Sequence, residues 1–271
     1  MPVHHVPRIT RSITYLILAG TALALAAAAR VAEPPLIADF APSKHGFNFT
    51  NSFSGSPLPG ALGSIAPGIG PSHFGLCGGM STAAADYYLA QRTPPTRPKP
   101  PLKGDWLFDY LQQRQVDSLG SAYAMVPVFA GWMHAPDNGW LGVRHATATT
   151  IGAIVSTLVE SKPVVLGLVR IAGGKGKPIW ENHQVLATRA EKSDEGVVTL
   201  HIYDPNYPKH DDVVITCTPT VIGALDLPGV VPTRVPILGY TCQQTVGARK
   251  VSNIRGLFAM PFGAKDPPAG Q

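Results

Sequence analysis

Residues 183–204 read HQVLATRAEKSDEGVVTLHIYD, and the period of this stretch decides the fold class. HQVLATRA (183–190) and GVVTLHIYD (196–204) are strand-like runs separated by a polar break, EKSDEG, that ends in glycine. If Ala190 pairs with Val197, His183 stands directly opposite Asp204. Cβ atoms at such positions lie roughly 4.5–5.5 Å apart on one face. That face carries His183, Val185 and Ala187 beside Val198, Leu200, Ile202 and Asp204. It is apolar except at the His–Asp end, where a carboxylate can orient and polarise an imidazole. A slip of one residue would send Asp204 to the opposite face.

Working outward, VVLGLVR (164–170) and DVVITC (212–217) read as further strands. Before Pro163 the period is helical. Gly78 to Gln91 carries Met80, Ala83, Ala84, Tyr87 and Tyr88 at helical spacing and ends before Pro94 and Pro95. Trp106, Leu107, Tyr110 and Leu111 stripe a second helix over 104–115, and residues 147–162 read as a third. The glycine-bearing stretch 120–146 reads as an irregular excursion. Residues 33–72 are rich in Gly, Pro and Ser and read as an irregular arm, with 44–53 (KHGFNFTNSF) as a short edge strand. Helices followed by a mostly antiparallel sheet predict an α+β domain.

The chain has 271 residues, of which 45% are hydrophobic and 14% charged, enough apolar material for one full core. Residues 1–32 place Arg8 and Arg11 before an apolar run from Ile13 to Ala29, the pattern of a secretory signal peptide. An uncleaved membrane anchor is the alternative. The expected location is therefore secreted or extracytoplasmic, periplasmic or cell-surface, with residues 33–271 as the folded domain. Membrane association is expected only if the leader stays attached. The net charge of +5 comes partly from the leader and from RTPPTRPKPPLKG (92–104). No basic stripe interleaved with aromatics suggests nucleic acid.

There are three cysteines, Cys77, Cys217 and Cys242. In an exported chain an odd count implies a free thiol or an intermolecular bridge. Pairing Cys217 with Cys242 as a disulfide leaves Cys77 unpaired. A thiol at the first position of a helix feels the positive end of the dipole, which favours thiolate. Beside a carboxylate-held histidine it becomes an activated nucleophile. The Cys77 N–H would point at a developing oxyanion, and Gly78 and Gly79 would let a substrate backbone approach. Asn182, Gln184 and Trp140 are candidate substrate-binding residues. His210, Asp211 and Asp212 lack zinc-type spacing, and neither metal nor cofactor is expected.

GLCGGM opening a helix, NHQVLA on a strand and YDPNYP at the end of the next resemble the papain-like cysteine peptidase superfamily. The likeness covers about residues 44–217 and is closer to the bacteriocin-processing-peptidase-like branch, where Asp orients the histidine and a DP pair ends its strand. It extends to exported bacterial proteins of this type without an assigned substrate. The resemblance implies Cys77 as nucleophile, His183 as general base then acid, and Asp204 as orienting group. It also implies a peptide or protein substrate, which in an exported chain includes cell-envelope material. One departure stands out: those families place a Gln shortly before the Cys to complete the oxyanion hole, whereas here the stretch reads GIGPSHF. Asn51 is the expected substitute, with Asn48 and His73 as rivals. The reading is an exported cysteine hydrolase working through an acyl-enzyme. Its alternatives are an inactive papain-like binding protein and a transglutaminase-like acyl transferase. The pattern G-x-C-x-G also fits a hydrolase elbow, but GSIAPGIGPSHF is too rich in Gly and Pro to be the hydrophobic strand such an elbow needs.

Overall fold

The computed structural model describes residues 36–54, 73–174, 179–227 and 233–269. The leader and arm residues 55–72 lie outside these, so the signal-peptide and anchor expectations do too. The chain from Pro35 onward forms one compact unit. Among the described residues no helix is long and apolar enough to cross a membrane.

Among the described residues, four helices of ten or more residues precede the main sheet: α1 (Cys77–Leu89), α2 (Trp106–Ser118), α3 (Met125–His134) and α4 (Val143–Val159). α2 starts where Asp105 caps it, its side chain accepting the Leu107 N–H at 2.9 Å. α4 buries Val143, Thr147, Ile151, Ile154 and Leu158, a helical stripe that begins one turn before the sequence suggested. α3 is a correction, since 120–146 read as irregular. Pro127 falls in the first turn, where its missing N–H has no partner to lose, and Phe129 and Met133 share the buried face.

Strands β1 (Phe53–Ser54) and β2 (His73–Phe74) form a separate antiparallel pair. The main sheet comprises β3 (Val164–Val169), β4 (His183–Lys192), β5 (Val198–Tyr203), β6 (Val213–Leu227), β7 (Thr233–Val246), β8 (Arg249–Ile254) and β9 (Gly256–Ala259). Its order is β8-β7-β6-β5-β4-β3-β9, and all its pairings are antiparallel. The α+β expectation stands. The expected edge strand over 44–53 does not form: Pro42–His45 is a helical turn, and only Phe53 extends into β1.

The sheet is covered on both faces at β3 and β4, and its residues divide with period two. Val165, Val169, Leu186 and Tyr203 join α1, α2 and the arm in one core. Val164, Leu166, Leu168, Val185, Ala187 and Ile202 join α4 in the other. The arm docks on buried Tyr203, whose hydroxyl accepts the Phe47 N–H at 3.2 Å. A buried ion pair, Arg114 Nε to Asp86 Oδ2 at 2.7 Å, locks α1 to α2, and the C-terminal tail adds hydrogen bonds to both partners. Gly263 O accepts from Arg114 Nη2 at 3.0 Å, and Lys265 N–H donates to Asp86 Oδ1 at 2.9 Å.

Close helix packing fixes the two glycines after Cys77. A Cβ on Gly79 would stand 2.0 Å from the Leu111 carbonyl oxygen of α2. On Gly78 it would stand 2.5 Å from both Gln184 Oε1 and Ser118 Oγ. Both residues are buried and serve the close packing of α1 on α2 and β4. Gly131 in α3 has open space around its Cβ position. Gly79→Ala is therefore expected to cost about 1–3 kcal/mol in urea unfolding. Gly131→Ala is expected to add about 0.5–1 kcal/mol, as glycine replacement in an uncrowded helix does.

Candidate active site

Three elements converge: the start of α1, the start of β4 and the chain leaving β5. Cys77 opens α1 with no side-chain cap at Leu76 and stays partly exposed. Its N–H belongs to the first turn, which has no intrahelical acceptor. Two residues on, the Gly79 N–H is taken by Gln115 Oε1 of α2 at 3.1 Å, so α2 caps α1 from the side.

His183 and Asp204 meet, but by a different register from the expected one. Glu191 and Lys192 continue β4 instead of turning, because their polarity marks an exposed strand end. The turn falls at 193–197, with Gly196 at φ +80°. Near the turn Ala190 pairs with Leu200, and near the site Leu186 pairs with Tyr203, so Val185 and not His183 stands level with Asp204. A bulge at Thr188 separates the two registers. Had the turn-side register continued, Asp204 would have stood level with Leu186, on the face away from His183. The bulge restores the parity, and His183 lies one step further along the same face. A diagonal neighbour of this kind is within side-chain reach.

His183 Nε2 contacts Asp204 Oδ1 at 2.7 Å, and both residues are buried. With Nε2 given to the carboxylate, Nδ1 is the nitrogen left for the thiol, with which the ring is hydrogen-bonded. Asp204 is held on both oxygens: Oδ1 also accepts the Asn206 N–H at 2.8 Å, and Oδ2 accepts Gln244 Nε2 at 2.6 Å. Burial would raise the Asp204 carboxyl, but His183 and these donors hold it below its ordinary value. Burial would lower the His183 imidazole, yet Asp204 and Cys77 together push it up to about 10. Burial would raise the Cys77 thiol; the His183 charge, its hydrogen bond and the N–H groups of Gln184 and Gly78 outweigh that and bring the thiol down. Both directions favour thiolate at Cys77 and imidazolium at His183.

The other expected residues divide. Gln184 belongs to the site through its backbone, while its side chain is 4% exposed and lies under Gly78. Asn182 does not face substrate: its Oδ1 accepts the Arg170 N–H at 3.1 Å and its Nδ2 donates to Ile179 O at 2.9 Å. Trp140 is 58% exposed and stacks on His145, which contacts Leu238 O at 2.9 Å. Leu238 is about 20 Å along β7 from Gln244, so Trp140 stands away from the cysteine. Asn51 does reach the site from the arm, where its Oδ1 accepts the Leu76 N–H and its Nδ2 donates to Asn206 Oδ1, which makes it a bridge between the two segments. Asn48 Oδ1 accepts the Arg97 N–H elsewhere.

Cys217 and Cys242 are direct cross-strand partners in β6 and β7. The expected disulfide is not formed: both are buried free thiols whose Sγ atoms share a hydrogen bond at 2.7 Å. The shared hydrogen bond and burial push the Cys217 thiol well up, which keeps it protonated. Among the described residues no cluster of three or more His, Cys, Asp or Glu is arranged to hold a metal.

Sequence reasoning missed Asn206, Gln115 and Gln244. Asn206 follows Asp204 by two in the DPN triplet and carried a readable turn signal. Gln244 reaches the site only because β7 lies two strands from β5, which no local pattern encodes. No protein-family profile, characterised protein or solved structure matches the chain.

The pKa directions fix a pH window. Thiolate is lost as pH falls through the lowered Cys77 value, and imidazolium is lost as pH rises through about 10. Iodoacetamide labelling of Cys77 at pH 6 is expected to outrun a model thiol by about tenfold or more, since an ordinary thiol is almost fully protonated there. Mass spectrometry of time-quenched samples reads the rate.

Proposed function

We propose that the protein is a cysteine-type acyl-transfer hydrolase of papain-like organisation, acting on a peptide or amide carbonyl. The observation that carries this is the buried Nε2–Oδ1 contact of 2.7 Å between His183 and Asp204, with the Cys77 thiol close enough to the same imidazole for each to shift the other's titration. A nucleophile, a base and an orienting carboxylate in that relation define the triad logic of covalent catalysis.

Each step follows from a named group. Cys77 Sγ attacks the carbonyl carbon, forming a C–S bond as the C=O electrons move to oxygen. The Cys77 N–H at the helix start stabilises that oxyanion, aided by the helix dipole. His183 Nδ1 gives its proton to the leaving amine as the C–N bond breaks. His183 then takes a proton from water, which attacks the thioester and returns Cys77 as thiolate. Asp204 keeps Nε2–H fixed throughout, and Gln244 and Asn206 hold Asp204 in place. The leader read at residues 1–32 places this activity outside the cytoplasm in the proposal, with envelope peptides and amides as the natural substrate pool.

A peptidyl vinyl sulfone tests the reading without a known substrate. Intact mass is expected to show one adduct, mapped to Cys77. His183→Ala is expected to slow its formation by about 100-fold or more, in line with loss of a general acid–base partner. Labelling no faster than that of a model thiol, unchanged in His183→Ala, would mean a binding protein in place of an enzyme. Product analysis with an added primary amine separates hydrolysis, which gives the free acid, from transfer, which gives the new amide.

A further inference from the structure

Asn51 and Asn206 form a continuous polar connection between the segment that carries the nucleophile and the loop that carries the acid. The Leu76 N–H, immediately before Cys77, donates to Asn51 Oδ1 at 2.6 Å. That bond identifies the Asn51 oxygen and turns its amide nitrogen toward Asn206, where Nδ2 donates to Oδ1 at 3.2 Å. The Asn206 carboxamide is thereby oriented too, placing its Nδ2 at 3.2 Å from His183 Nε2. Its backbone N–H meanwhile holds Asp204 Oδ1 at 2.8 Å. The backbone repeats the tie, since the Asn51 N–H donates to Pro205 O at 3.1 Å. Gly75 makes the connection possible: a Cβ there would stand 2.6 Å from Asn51 Nδ2.

We propose that Asn51 and Asn206 are positioning residues that hold the start of α1 against the His183–Asp204 pair, so that docking of the 36–54 arm sets the alignment of thiol and imidazole. The proposal rests on the Cys77–His183–Asp204 reading given above and adds a device to it. Neither asparagine attacks or protonates anything. His183 Nε2 gives its proton to Asp204, so the Asn206 amide abuts the ring without receiving that proton. Its contribution is orientation: it closes one side of the imidazole while its own rotation is fixed by Asn51. The network is half-buried to exposed, so its contribution is geometric: each bond fixes the rotation of the next carboxamide. The arm has a separate anchor at Tyr203, through Phe47, so the bridge is not what keeps the arm folded.

The test is a double-mutant cycle read by the pH dependence of Cys77 alkylation in the full chain. Asn51→Ala and Asn206→Ala are each expected to move the thiolate midpoint upward by about one unit, which lowers labelling at pH 6 about tenfold. The double variant is expected to be no worse than either single one, because each cuts the same connection. A role in overall stability alone would shift the melting temperature and leave the midpoint in place. Wild-type midpoints in well-folded variants, or losses that add independently, overturn the proposal. If the wild-type protein itself shows an ordinary thiol midpoint, the triad reading fails first, a distinct result. Should Asn51→Ala not fold, Gly75→Ala crowds the same amide without deleting it. It is expected to give the same upward shift, and an unchanged midpoint there counts against the bridge.

Discussion

The buried contact between His183 Nε2 and Asp204 Oδ1, 2.7 Å long, is the constraint on which the site depends. Both groups lie where water cannot screen them, so each is costly alone and stable only with the other. Asp204 keeps the imidazole charged, and the charged imidazole draws the Cys77 thiol down. The surrounding architecture serves that arrangement. β7 contributes Gln244 to the free carboxylate oxygen, α2 contributes Gln115 to the first turn of α1, and the glycines at 78 and 79 allow α1 to come close enough.

The strand bulge at Thr188 has the most consequence for its size. Side chains alternate along a strand, so only the parity of the pairing decides whether His183 and Asp204 share a face. The hairpin turn sets one parity and the bulge reverses it before the site is reached. A single extra residue thus determines which face of the sheet receives the acid.

The juxtaposition of Cys77, His183 and Asp204 was legible in the sequence because its signals are local: a cysteine opening a run of helical period, and a histidine and an aspartate flanking one hairpin. The pairing was misread by two residues because Glu191 and Lys192 look like turn residues and are an exposed strand end. An error of two preserves parity, so the predicted face survived the wrong register. What stayed hidden was non-local. Gln244 arrives through strand order, the bridge from Asn51 to Asn206 forms only once the arm docks, and Trp140 leaves the site because its loop follows the β6–β7 ribbon. The helix α3 was concealed by Pro127 and Gly131, which the first turn and an uncrowded surface tolerate.

Proton occupancy of His183 measures the central claim most directly. In a protein labelled with ¹⁵N-histidine, the account predicts that both ring nitrogens of His183 carry protons at pH 8 and that the ring titrates near the value of about 10. Replacing Cys77 with Ala removes the thiolate and is expected to lower that titration point, with the Nε2–H still directed at Asp204. A neutral His183 ring at pH 8, titrating as an ordinary histidine and indifferent to Cys77→Ala, would contradict the account.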